Sequence, residues 1–269
     1  MLNGIVIPCY NEANRLDFMR FKIFLKTNTD FTLCFVNDGS NDETLNQLKK
    51  FQKKMGDQVF VHDMPQNGGK SEAVRQGINT LLSKTDVDNV GFLDADLATG
   101  FDDYLRLVDE LKKENLHLVV GSRKIRESIN INRSQFRKLA SNAIGRFIQL
   151  IIGLQIKDTQ CGAKVFSRVI AKNIFQESFH SRWLFDVEIF IKAKKYFGEK
   201  TAMNYMKEVA LNAWVEVEGS KITLKDSLKF PKTLIDIALI YNVIPRIEEY
   251  KHSVKSMLST VSRSLQFFN

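Results

Sequence analysis

The sequence predicts an α/β domain with a mostly parallel central sheet and helices on both of its faces, followed by a helical C-terminal tail. Two observations carry this. Short apolar runs at residues 5–7, 31–36, 59–61, 90–93 and 116–120 alternate with longer amphipathic segments, the rhythm of buried strands feeding crossover helices. Polar or glycine-bearing strings follow each of the first four runs, where a parallel sheet presents its carboxyl ends and collects ligands. We place a catalytic domain over residues 1–224 and the tail over residues 225–269.

Taken in order, Asn41 precedes a helix over 44–54, Gly69 one over 71–83 and Asp102 one over 104–113, each start suited to the exposed N–H groups of a first turn. Residues 121–138 turn basic, with Arg123, Lys124, Arg126, Arg133, Arg137 and Lys138 against the single acid Glu127, so this loop needs an anion. It feeds a helix over 143–154 that is apolar nearly all round, hence buried or dipped into lipid. A strand is expected over 164–166. In the tail Phe230, Leu234, Ile237 and Tyr241 recur at helical spacing, broken by Pro231 and Pro245, with Lys225, Lys229 and Lys232 interleaved. That pattern suits packing on the domain or contact with a membrane surface.

The 269 residues carry 39 Lys and Arg against 31 Asp and Glu, a formal charge of +8 that favours anionic partners such as nucleotide phosphates, anionic lipid or nucleic acid. Cys9, Cys34 and Cys161 lack metal-ligand spacing and read as reduced thiols of a cytosolic protein. The strand pattern starting at Gly4 leaves no room for a signal peptide, and no apolar stretch approaches the roughly 20 residues of a membrane span. His62, His117, His180 and His252 are scattered without paired spacing, and no hydrolase nucleophile motif occurs.

The chemistry concentrates in Asp94-Ala95-Asp96. Alone, the tripeptide is more often a turn before a helix than a site. Placed after a buried strand, its two carboxylates can reach one hard divalent cation that also bridges phosphate oxygens. Asp38, in Asn37-Asp38-Gly39-Ser40, could accept a pyrimidine imide N–H, with Gly39 allowing close backbone approach, or could simply open an Asp-Gly turn. Asn67-Gly68-Gly69-Lys70 sets a flexible turn and a cation at a helix start, without the spacing of an ATPase P-loop. In Arg182-Trp183-Leu184-Phe185-Asp186-Val187-Glu188 the two acids point to different helix faces, so both do not serve one atom.

Together these strings resemble the family 2 glycosyltransferases of GT-A fold, and among them the dolichyl-phosphate or polyprenyl-phosphate glucosyltransferases. The resemblance runs from about Ile5 to about Ile222 and includes Pro8-Cys9-Tyr10-Asn11-Glu12, Asp94 to Thr99, Asp158-Thr159-Gln160-Cys161-Gly162 and Glu218-Gly219-Ser220-Lys221. It implies that Pro8, Tyr10, Glu12, Asp38 and Lys70, with Gly69, hold the uridine end of a UDP-sugar. Asp94 and Asp96 would then hold Mg²⁺ or Mn²⁺ and the diphosphate, with Lys221 approaching from the C-terminal side. Arg123, Arg137 and Ser141 match the positions that hold a lipid phosphate and, with Asp96, make up the implied catalytic set. Asp158, Gln160, Trp183 and Asp186 fall on the acceptor side. Asn37 departs from relatives with a second acid there, Ala163 replaces a bulkier aromatic, and neither the N-terminal membrane anchor of eukaryotic members nor the C-terminal spanning helices of many bacterial relatives is expected.

The expected reaction moves a hexose, glucose by these strings, to a polyprenyl phosphate with inversion, at the cytoplasmic face of a membrane. A phosphate nucleophile is already anionic and needs no general base. The alternative acceptor is a glycan hydroxyl, which would require a base such as Asp158 or Asp186. A nucleotidyltransferase would want a glycine-rich basic loop after the first strand, and a nucleic-acid binder would leave the carboxylate pair idle; neither is expected.

Overall fold

A computed structural model of the chain describes residues 1–125, 145, 148–215 and 224–243. The chain divides into a unit spanning Met1–Lys221 and a second spanning Ile222–Asn269.

Among the described residues the first unit is built on seven strands: β1 (Asn3–Cys9), β2 (Phe31–Asp38), β3 (Val59–Met64), β4 (Asn89–Leu93), β5 (Leu118–Ser122), β6 (Ala163–Ser167) and β7 (Met206–Ala210). They form one sheet in the order β3-β2-β1-β4-β6-β5-β7. The four strands β3, β2, β1 and β4 run parallel, as do β5 and β7, while β6 lies antiparallel between β4 and β5. All five runs expected from the sequence are strands. The sequence does not reveal that β5 is separated from β4 by a reversed strand, nor does it mark β7.

Among the described residues this unit carries α1 (Phe18–Thr27), α2 (Thr44–Met55), α3 (Lys70–Lys84), α4 (Phe101–Lys113), α5 (Arg168–Ile174) and α6 (Phe185–Phe197), besides the helical residues 148–152. The Asp17 carboxylate caps α1 by accepting from the N–H groups of Met19 and Arg20. α2 begins at Thr44 as expected, and it is Asp42 rather than Asn41 that accepts the Thr44 N–H and closes the turn there. α3 lies close against the sheet because Gly77 has no side chain; a Cβ there would stand 2.4 Å from Val6 and 2.8 Å from Val36. One aromatic layer joins Phe21, Phe24, Phe35 and Phe101, with Phe24 stacked on Phe101 at 4.1 Å. Another links Phe92, Phe166, Phe175 and Phe185. Burial of this kind on both faces explains the continuous apolar runs inside β1, β2 and β4.

Of the helix expected over 143–154, residues 148–152 are described and helical, ending at Gly153 with φ +61°. Ile148 and Ile152 are buried whereas Leu150 is 80% exposed, so the described part has two different faces and is not uniformly buried. The second unit contains α7 (Leu224–Ala238), which continues through Pro231 and passes into a π-helical turn, Leu239–Val243. Pro231 therefore does not break the tail: proline removes one N–H donor, and the turns on either side still carry the helix. Pro245 lies outside the described residues. Among the described residues no helix is long and apolar enough to cross a membrane.

Candidate active site

The exits of β1, β2, β3 and β4 are stitched to one another by their own loops. After β1, the Asn11 N–H donates to Ser40 Oγ and the Glu12 N–H to Thr44 Oγ1. After β2, the Asp38 carboxylate is buried and accepts from the N–H groups of Gly68, at 2.6 Å, and Gly69, at 3.0 Å. Burial pushes the Asp38 carboxyl up, and those two N–H bonds act against it. Asp38, expected at the base, is thus spent largely on shaping the loop before α3. Gly39, with φ +63°, allows close approach as expected, but of the chain's own backbone: a Cβ there would lie 2.5 Å from the Asn67 nitrogen. Asn37 donates its amide to Asp63; a second acid at this place would meet that carboxylate instead.

The same loop is gripped from its other side by Arg182, whose guanidinium donates to the carbonyls of Asn67 and Gly68 and to the Asn67 side chain. Gly69, at φ +89°, passes so close that a Cβ would sit 2.6 Å from Arg182 Nε. Held by Asp38 and Arg182, the loop delivers Lys70 as the first residue of α3, with Nζ 2.5 Å from Asp94 Oδ1. Burial disfavours the Lys70 charge, but the carboxylates of Asp94 and Asp186 outweigh it and raise the pKa.

Asp94 and Asp96 follow β4 directly. Leu97 adopts φ +51° and its N–H returns to the Asp94 carbonyl, while the Ala98 N–H donates to Asp96 Oδ1, so the two carboxylates stand on one tight turn. Arg15 joins Asp96, at 3.0 Å, to Glu12, at 3.3 Å. Burial, and then the neighbouring Asp94 charge, push the Asp96 carboxyl up. This mutual repulsion between partly exposed hard oxygens is what a divalent cation relieves, so the pair fits Mg²⁺ or Mn²⁺. Among the described residues no cluster of three or more metal-ligating side chains occurs; water and phosphate oxygens would have to complete the shell.

Of the residues expected on the acceptor side, Asp158 and Asp186 each stand in an ion pair. Arg123, just past β5, forks onto Asp158 with Nε at 2.7 Å and Nη2 at 2.8 Å, adds the Gln160 carbonyl at 3.0 Å, and stacks over Trp214 at 5.2 Å. Burial works against the Asp158 charge, yet the Arg123 guanidinium holds its carboxyl well below the usual carboxylate range. Arg123 is therefore not the freely offered phosphate ligand expected from the sequence; among the described residues its Nη1 is the nitrogen left unengaged. Further in, Lys164 is fully buried and donates to Asp186, at 2.5 Å, and to the Cys161 carbonyl, at 2.7 Å. Burial raises the Asp186 carboxyl while Lys164 and Lys70 oppose the shift. Glu188 faces elsewhere, accepting the N–H groups of His180 and Ser181.

Pro8 and Tyr10 are half-buried at the β1 exit, Gln160 and Trp183 half-buried on the acceptor side. Arg137, Ser141 and Lys221 lie outside the described residues. Sequence reasoning passed over Arg15, Lys164 and Arg182. A charged residue inside the apolar string Ala163-Lys164-Val165-Phe166, and a cation three positions after Glu12, were the available signals.

A mixed sheet with a carboxylate pair after β4 and a glycine-bearing helix start after β3, on the same side of the sheet, is the architecture of the GT-A fold. Solved structures of glucosyl-3-phosphoglycerate synthase from Mycobacterium tuberculosis share it. The complex with UDP aligns at TM-score 0.61 and 17% identity, covering 89% of this chain and 79% of that one. The complex with Mn²⁺, UDP-glucose and phosphoglyceric acid aligns at TM-score 0.61 and 16% identity, with the same coverage. The model of the family described as glycosyl transferase family 2 matches residues 4–175, and the chain belongs to that family. Its relatives include the dolichyl-phosphate beta-glucosyltransferases of Drosophila melanogaster, 34% identical over 82% of this chain and 69% of the relative, and of Homo sapiens, 34% identical over 88% and 75%.

Proposed function

We propose that this glycosyltransferase moves a glucosyl group from UDP-glucose to the phosphate of a polyprenyl or dolichyl phosphate, with inversion and with Mg²⁺ or Mn²⁺, as a peripheral protein at the cytoplasmic face of a membrane. The observation that carries the reading is the Arg123–Asp158 fork. A hydroxyl acceptor requires a carboxylate free to take a proton. Asp158 is held ionised by a bidentate partner, and Asp186 is buried against Lys164. A phosphate acceptor makes no such demand. The relatives' names agree on both product and acceptor, and a beta-glucosyl product from an α-linked donor requires inversion.

In this mechanism a phosphate oxygen of the acceptor attacks the anomeric carbon, the bond from that carbon to the diphosphate breaks, and the electron pair leaves with UDP. No proton moves. Lys70 at the start of α3 offers charge to the diphosphate, and the loop held by Asp38 and Arg182 sets where that charge sits. Arg123, through Nη1, and the resemblance-assigned Arg137 and Ser141 orient the acceptor phosphate. Asp94 and Asp96 would hold the divalent cation, which would supply Lewis-acid stabilisation of the charge growing on the leaving diphosphate. Lys221 would close on the donor from the C-terminal side.

Purified protein given a panel of nucleotide sugars, a short-chain polyprenyl phosphate and Mn²⁺ should form a glucolipid and release UDP from UDP-glucose alone, and Asp96→Ala should abolish both. Transfer to a soluble glycan but not to the lipid phosphate would overturn the acceptor assignment. Full activity of the Asp96→Ala protein would overturn the metal assignment.

A further inference from the structure

Each carboxylate at the β4 exit is held by one of the chain's own cations, Lys70 on Asp94 and Arg15 on Asp96. The two cations are anchored differently. Arg15 is planar and bridges a second acid, Glu12, 3.3 Å away, so a change at Asp96 leaves it seated. Lys70 has a flexible four-carbon stem carrying a compact charge, and its close carboxylate partner is Asp94. It also follows two glycines at the first turn of α3, where the backbone N–H groups of the helix start favour an incoming anion. A divalent cation settling on Asp94 competes with Lys70 for the same oxygens. A diphosphate arriving beside it offers Lys70 another anion.

We infer that Lys70 is exchanged between two anions, Asp94 in the donor-free protein and the donor diphosphate in the loaded one, so that cation and diphosphate bind as a coupled pair. The inference rests on the donor reading above and adds an order to it. With Lys70 and Arg15 in place, the two carboxylates attract Mn²⁺ less strongly than they do once Lys70 has left Asp94. Binding of the diphosphate draws Lys70 away and exposes Asp94. By linkage the cation strengthens diphosphate binding by the same factor. Arg15 stays on Asp96 throughout and keeps that carboxylate oriented.

Binding of Mn²⁺ to the full chain, followed by the paramagnetic resonance signal of the free ion with and without UDP, tests this without any turnover. Removing one unit of positive charge a few ångströms from the site should make Lys70→Met bind Mn²⁺ alone ~5-fold more tightly than the unaltered protein. The gain in Mn²⁺ affinity on adding UDP should shrink by a similar factor, and Lys70→Arg, which keeps the charge, should stay near the unaltered protein. A folded Lys70→Met protein that binds Mn²⁺ alone no more tightly, or keeps the full gain from UDP, overturns the exchange. Failure of the unaltered protein to bind UDP with Mn²⁺ overturns the donor reading itself, so the two failures are distinguishable.

Discussion

Gly162 precedes β6 and lies directly against the Asp94 carboxylate. A Cβ at this position would stand 2.0 Å from Oδ2, 2.4 Å from Cγ and 2.9 Å from Oδ1. Contacts that short are not sustained in folded proteins, so Gly162→Ala must drive the carboxylate back by about 1 Å, and a misplacement of that size costs on the order of 10²-fold in rate. In barrier height this is about 2.7 kcal/mol. The obstruction is a side-chain end and not backbone, so Asp94 can rotate aside and the unfolding free energy should change by less than about 1 kcal/mol. Steady-state kinetics with UDP-glucose at saturating Mn²⁺, beside a urea melt, separate the two quantities. A Gly162→Ala protein with unaltered kcat/KM would refute the assignment of Asp94 to the reacting end of the donor.

Two further perturbations probe the buried pairs. Lys164→Met leaves Asp186 buried without its partner and should cost about 3–5 kcal/mol in a urea melt, whereas the double change Lys164→Met with Asp186→Leu should recover most of that stability; equal losses in both would mean the pair is not the cause. Asp158→Asn removes a carboxylate whose folded pKa lies below its unfolded one. Its contribution is therefore fully present above the unfolded pKa and declines as pH falls through the acid range toward the folded value. The unaltered protein should exceed the Asp158→Asn protein in stability at pH 7 and approach it as the solution is acidified; a constant difference down to the lowest pH tolerated would contradict the linkage.

The parallel part of the sheet was legible because strands buried on both faces carry continuous apolar runs, and β1, β2 and β4 each contain one, while β3, at the sheet edge, showed only the short run 59–61. The Asp94 and Lys70 positions were legible because they follow a strand exit and a glycine pair. What escaped the reading depends on partners distant in sequence. Asp38 could be placed at a strand exit, but not that its oxygens are taken by Gly68 and Gly69, thirty and more positions away. Arg123 could be recognised as a cation after a strand, but its commitment to Asp158 follows from the packing of two loops. Composition favoured an anion for Arg123, and the nearest anion proved to be internal.

The reversed strand explains why those internal partners occur where they do. In a wholly parallel sheet each strand brings to the ligand side only the loop that follows it. Running β6 antiparallel beside β4 brings the loop that precedes it to the same side, with Ala163 paired to Leu93. Gly162 then falls beside Asp94, Lys164 reaches back to the Cys161 carbonyl and to Asp186, and the Asp158 loop lies against Arg123 at the end of β5. The Asp94 and Asp96 carboxylates and the Arg123–Asp158 and Lys164–Asp186 pairs therefore meet on one side of the sheet because a single strand changes direction. Substitutions in the residues 158–164 should on this argument disturb donor and acceptor kinetics together, although the segment belongs by sequence to neither the β4 turn nor the basic loop.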